Sequence, residues 1–163
     1  MEAILMENTK AKKLDIIGWR EWVSLPSLNV KQIKAKIDSG AATSALHVTN
    51  LSIESIGKKH FVRFKVHPNQ KSSKPSISCR AQLVEHRNIK SSTGGVTLRP
   101  VIMLPMKIGE HRWLSQVTLV NRDMMGFRML IGRKALRNRF LVHAGRSFLI
   151  GKKKKINRIK GLG

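Results

Sequence analysis

Lys36-Ile37-Asp38-Ser39-Gly40-Ala41-Ala42-Thr43 is the stretch whose reading decides the fold. It ends an alternating run, Ile33-Lys34-Ala35-Lys36-Ile37. In a strand this run turns Ile33, Ala35 and Ile37 to a core and Lys34 and Lys36 to water. Asp38 falls where the strand ends and the chain turns. It is one of only three aspartates, with Asp15 and Asp123, in a chain carrying 32 Lys and Arg. Asp-Ser-Gly is a common turn tripeptide, so on this stretch alone an ordinary turn accounts for it.

Working outward, Ile16 to Leu25 reads as a first strand stopped by Pro26, with Ser27-Leu28-Asn29 as the turn into Val30–Ile37. Ser44–Val48 is a short strand and Phe61–Val66 alternates well. His67 to Pro75 is a loop by composition, and Ile77–Val84 another strand. Ser91-Ser92-Thr93-Gly94-Gly95 is a glycine-bearing turn. After it Val96, Leu98, Ile102, Leu104, Met106 and Ile108 share one face of a long strand. Gly109-Glu110 closes a hairpin and Trp113–Val120 returns. Phe127 to Ile131 is apolar and leads through Gly132 into a short helix over Lys134–Arg139. Phe140–Val142 and Ser147–Ile150 are expected as final strands. The order predicts a mainly β chain with one short helix near its C-terminal end.

The formal net charge is +23 and the pI about 11.4. Such a field draws anionic partners and speeds their arrival, without bearing on fold. Nucleic acid, an anionic membrane surface and acidic polypeptides all remain open. The single Cys79 rules out an internal disulfide framework and suits a reducing cytosol; a half-buried strand thiol is expected. No apolar run is long enough for a membrane span, and Met1–Lys13 lacks the pattern of a signal peptide. A cytoplasmic protein is expected, with a ragged terminus over 1–14, one domain over 15–151 and a basic, unstructured tail over 152–163. That tail can hold phosphate without specificity.

Strand–Asp-Ser-Gly-Ala, followed much later by two apolar residues, Gly and a helix, resembles the retropepsin-like aspartic proteases. The run Val117 to Asp123, then Met125 to Arg133, is most similar to the bacterial single-domain branch labelled "ATP-dependent zinc protease". Arg139-Phe140-Leu141-Val142 and Gly145-Arg146-Ser147 are shared as well, so the resemblance covers about Ile16 to Gly151. It implies a retropepsin-like closed β-barrel, half of an acid protease. Asp38 is the implied catalytic acid/base, with Ser39, Gly40 and Ala41 supporting its turn. Ser91, Ser92, Thr93, Gly94 and Gly95 form the implied flap, an ordinary hairpin turn being the other reading. Leu130, Ile131, Gly132 and Arg133 would pack beneath the site. The Phe61–Val84 pair looks like an insertion. Ala42 departs from the family, where an acidic residue often pairs with the helix arginine; Asp123 is expected to be structural.

Aspartic proteolysis needs two carboxylates sharing one proton, because like charges about 3 Å apart cannot both ionise. A chain with one Asp-Ser-Gly and no internal repeat must therefore pair with a copy of itself, as a homodimer. The expected activity is an aspartic endopeptidase without cofactor, acting on an acidic, glutamate-rich polypeptide. The branch is associated with ligases that add glutamates to protein tails, which points the same way. Against the zinc label, there is no His-Glu-x-x-His, no ligand spacing among the histidines and no phosphate-cradling loop for ATP. The competing readings are a non-catalytic binding module on the same fold and an RNA- or ribosome-associated basic protein. The latter lacks RNP and KH motifs.

Overall fold

The computed structural model describes residues 13–91, 93–122, 124 and 126–153. Ser92 of the expected flap, Asp123, residues 1–12 and the tail from 154 onward lie outside the described residues.

Strands dominate, as expected. β1 (Asp15–Gly18) and β2 (Arg20–Leu25) are separated at Trp19, so the first expected strand is two. A 3-10 turn over Pro26–Leu28 and a left-handed Asn29 (φ 57°) lead into β3 (Val30–Asp38). β4 (Ser44–Ile56) runs well past the predicted Val48, with a register shift between Thr49 and Ser52. β5 (Lys59–Val66) and β6 (Ile77–Gln82) pair antiparallel. β7 (Glu85–Lys90), missed in the sequence, pairs with the long β8 (Val96–Ile108). β8 returns as β9 (His111–Val120), and β10 (Met129–Gly132) feeds the single-turn helix α1 (Arg133–Leu136), shorter than predicted. β11 (Phe140–His143) pairs in parallel with β1.

Hydrogen bonds join β10, β3, β2, β8, β9 and β4 in sequence, and β4 pairs back to β10, closing a ring of strands. The alternating residues of these strands fill its interior. Val23, Leu25, Ile33, Ala35, Leu46, Ile102, Leu104, Met106, Ile108 and Ile131 are all at most 1% exposed. Val62, Phe64 and Val66 of β5 join the same core, with Ile77, Cys79 and Ala81 of β6 packed against it. The expected insertion is thus an extra layer on the common core. Val96 and Leu98 depart from the predicted shared face: they are 61% and 62% exposed, because β8 leaves the core there to pair with β7.

Ser147–Ile150 is not the strand expected from its apolar residues. The segment runs beside β2, with Phe148 N donating to Arg20 O and Gly151 O accepting from Trp22 N. The fully buried Glu21 carboxylate takes the amides of Leu149 (2.7 Å), Ile150 (3.0 Å) and Gly151 (3.3 Å), and that of Gly18 (3.2 Å). A carboxylate bound by several N–H donors replaces a strand ladder here. No helix among the described residues is long and apolar enough to cross a membrane.

Candidate active site

Asp38 ends β3 directly opposite Gly132 in the parallel β10. β10 lies between β3 and β4, parallel to the first and antiparallel to the second at Leu46 and Ala45. The turn 39–43 must therefore arch over the end of β10. Met129 and Ile131 of β10 are fully buried, while Leu130 faces the other way, against Ala45, Val120 and Met124.

The turn is hung from the first amides of α1. Arg133 N donates to Ala41 O (2.7 Å) and Lys134 N to Ala42 O (3.1 Å). Gly132 N donates to the Ser44 hydroxyl (3.0 Å), and the Ser44 carbonyl accepts from the Thr118 hydroxyl (3.1 Å). A helix start has free N–H groups, and here the turn's carbonyls satisfy them. A Cβ on Gly132 would stand 2.7 Å from the Thr43 carbonyl carbon and 2.9 Å from Ala41 O. Only glycine lets the backbones approach this closely. Arg133 reaches the Ser39 carbonyl through Nη1 (3.0 Å). A backbone acceptor thus stands where many retropepsins have an acidic side chain.

Within the turn, Gly40 N donates to Asp38 Oδ1 (3.2 Å) and Ala41 N to Asp38 O (3.2 Å). The first fixes the aim of the carboxyl group. A Cβ on Gly40 would lie 3.3 Å from that oxygen. Asp38 is half-buried, and Ser39 and Gly40 beside it are exposed.

Asp38 lines a cavity of about 540 Å³ together with Gly40, Ala41 and Leu130 on one side and Ile89, Lys90 and Ser91 on the other. The turn at the end of β7 thus meets the Asp-Ser-Gly turn across one cleft. Its described residues form a closed loop: Ser91 N donates to Gly95 O (2.7 Å), Gly94 N to Ser91 O (3.0 Å), and the Ser91 and Thr93 hydroxyls bond at 2.9 Å. Gly94 sits at φ +91°, which favours glycine.

The net charge points to a positive cleft, but the sequence did not single out the residues that line it. Lys36, Lys90, Arg99 and Arg122 all line it, and Asp38 is the one acid among its described lining residues. Burial, and then the Arg122 guanidinium beside it, hold Arg99 below the usual arginine range. Arg99 and Arg122 come from β8 and from just after β9, and only the folded ring brings them together. Cys79 lies on β6, half-buried, and burial raises its thiol pKa; it is remote from this chemistry. Among the described residues no group of three or more His, Cys, Asp or Glu is placed to hold a metal ion.

The geometry agrees with what the chain resembles. A crystal structure of a Legionella pneumophila protein of unknown function matches with a TM-score of 0.71 at 25% sequence identity, covering 84% of this chain and 98% of that one. A probable alpha-L-glutamate ligase of Shewanella halifaxensis is 43% identical over 136 residues, and one of Desulfotalea psychrophila 40% over 137. These matches take up 83% and 84% of this chain but 30% and 29% of the ligases, so the chain spans under a third of the curated relatives it matches. These relatives bear a ligase name, not the zinc-protease label of the branch. The family model that matches residues 16–153 describes the retropepsin-like aspartic endopeptidase RimB, and the chain belongs to this RimB-like family.

Proposed function

We propose that the protein is a homodimeric aspartic endopeptidase that cleaves acidic, glutamate-rich polypeptide. The observation that carries the reading is the aimed Asp38 carboxyl group, held by Gly40 N at the mouth of a cleft lined by four cations. Asp38, Ser39 and Gly40 lie at an open face, leaving room for the same turn of a second copy. The two Asp38 carboxyls then share one proton. The ionised one takes a proton from a water molecule, whose oxygen attacks the peptide carbonyl carbon. The protonated one donates to the carbonyl oxygen. Collapse of the tetrahedral diol breaks the C–N bond: the amine leaves with the proton first taken from water, and a diol hydroxyl returns its proton to the carboxylate that had donated one, restoring the shared proton. No covalent enzyme intermediate forms.

Two observations support an acidic substrate. Arg99 and Arg122 repel one another in the cleft, and a substrate carboxylate between them relieves that repulsion. Relatives named glutamate ligases carry a similar segment within a longer chain, which puts such a segment beside the making of glutamate linkages.

The test is hydrolysis of an oligoglutamate peptide. Asp38→Asn is expected to abolish cleavage with an unchanged circular dichroism spectrum. Wild-type activity is expected to rise with the square of protein concentration below the dimer dissociation constant. A mutant as fast as wild type, or full activity in a demonstrated monomer, overturns the reading.

A further inference from the structure

The chain has three Trp, five Phe and no Tyr, and four of these rings gather beside β2 and β3. Trp19 and Trp22 flank Arg20 in sequence. Phe148 stacks on Trp22 at 5.8 Å, and Phe127 meets Trp19 edge-on at 6.0 Å. Cations are set among them. Arg20 Cζ lies 4.6 Å from the Trp19 ring centre and 5.1 Å from that of Phe148. Lys34 Nζ lies 6.0 Å from Trp22 and 5.8 Å from Phe127, and Lys153 Nζ 5.6 Å from Trp22. The strand register builds this face: Trp22 stands opposite Lys34, and Arg20 opposite Lys36.

Among the described residues no carboxylate forms an ion pair with these cations. The ion pairs among the described residues are Arg63–Glu54, Arg87–Glu85 and His111–Asp15, none of them here. The nearby Glu21 is buried and spends its carboxylate on backbone amides. Burial, then Arg20, Lys71 and Lys153 in turn, press the Lys34 ammonium below its ordinary range. Solvated lysines that serve solubility spread apart; these are drawn together on aromatic surface and repel one another. A cation resting on a ring keeps its charge for an outside anion, unlike one in a salt bridge.

We propose that this outer face of β2 and β3, with Arg20, Lys34 and Lys153 set among Trp19, Trp22 and Phe148, binds single-stranded nucleic acid. The rings decide between polyanions. A glutamate-rich peptide uses the cations but gains nothing from π surface, which repels carboxylates. A single strand uses both, with phosphates on the cations and bases against rings and guanidinium. The surface is distinct from the Asp38 cavity and goes beyond the proteolytic reading.

The test is fluorescence anisotropy of a labelled oligouridylate of about 15 nucleotides, from about 50 to 200 mM salt. It compares the full chain with two double variants of equal net charge. Lys34→Glu with Lys153→Glu alters this face; Lys58→Glu with Lys59→Glu alters the exposed tip between β4 and β5. The first pair is expected to weaken binding at least about tenfold, and the log–log salt slope to fall by about 0.7 for each phosphate no longer neutralised. The distal pair is expected to stay within about twofold of wild type, since it sits on the turn between β4 and β5 and not on this face. Lys34→Gln, a milder change, is expected to weaken binding in the same direction, and Asp38→Asn to bind as wild type does. Equal losses in the two double variants, no binding at low salt, or an oligoglutamate of matched charge losing as much affinity to the first pair as the oligouridylate does each overturn the proposal.

Discussion

Gly132→Ala is the smallest substitution that tests how the Asp38 turn is held. The backbone at Gly132 is extended (φ −88°, ψ 171°), a conformation any residue adopts. The added methyl therefore acts by sterics alone. Its Cβ would stand 2.7 Å from the Thr43 carbonyl carbon and 2.9 Å from both Ala41 O and Thr43 O, where ordinary contact begins at 3.4 Å. Something must yield by about 0.7 Å, the difference between 3.4 and 2.7 Å. The atoms in the way are backbone, so no side chain can rotate aside. The atoms most free to move belong to the turn, because Met129 and Ile131 fix β10 in the core.

Overpacking of this kind costs about 1 to 3 kcal/mol. In a chain of this size that lowers the thermal midpoint by about 2 to 4 °C per kcal/mol. A shift approaching 1 Å at a catalytic group costs roughly a hundredfold in rate. The expected result is a folded protein with a lower midpoint and a cleavage rate reduced about ten- to a hundredfold, measured by differential scanning fluorimetry and peptide hydrolysis. The two readouts separate the claims. A loss of stability without a rate effect keeps the packing argument and removes its link to catalysis. Unchanged stability together with an unchanged rate refutes the reasoning altogether.

Glu21→Gln is expected to cost about 2 to 3 kcal/mol, since it weakens charge-assisted bonds to Leu149, Ile150 and Gly18 and sets an NH₂ group against Gly151 N. The midpoint should fall and hydrogen exchange at 149–151 should accelerate; protection equal to wild type would show the carboxylate to be dispensable. Arg99→Gln is expected to lower kcat/KM for glutamate-rich peptides about tenfold, the worth of one charged contact, and to leave neutral peptides within about twofold. The preference should shrink as salt rises, and equal effects on both peptide classes would remove Arg99 from substrate recognition.

What the sequence discloses is what short-range periodicity carries. The alternation of Ile33, Ala35 and Ile37 and the apolar run into Gly132 needed no tertiary information, because strand faces follow a two-residue period. The pairing of those two stretches across more than ninety residues came from family resemblance. Nothing in the local pattern says that β10 enters between β3 and β4. The misreadings have physical causes too. Ser147–Ile150 has strand composition, yet a buried carboxylate on a different strand claims its amides. Val96 and Leu98 keep the period of β8 but lie beyond the core that would bury them. Arg99 and Arg122 look like ordinary surface charge until the ring closes.

The alternation that places Asp38 also joins the two basic surfaces. Lys34 and Lys36 are two residues apart on β3 and so lean toward the same side. Lys34 stands over Trp22 and Phe127, whereas Lys36 lines the cavity with Asp38. Arg20 bridges them, facing Lys36 in register while its own guanidinium lies on Trp19 and Phe148. The cations of the aromatic face and of the cleft thus form one continuous positive strip along β3. Neighbouring charges on such a strip lie within a Debye length of about 8 Å, so each raises the potential felt at the next. The chain's excess of lysine and arginine is therefore put to positional use at this strand. The alternation that buries Ile33, Ala35 and Ile37 also lines up the cations that lead to the Asp38 turn.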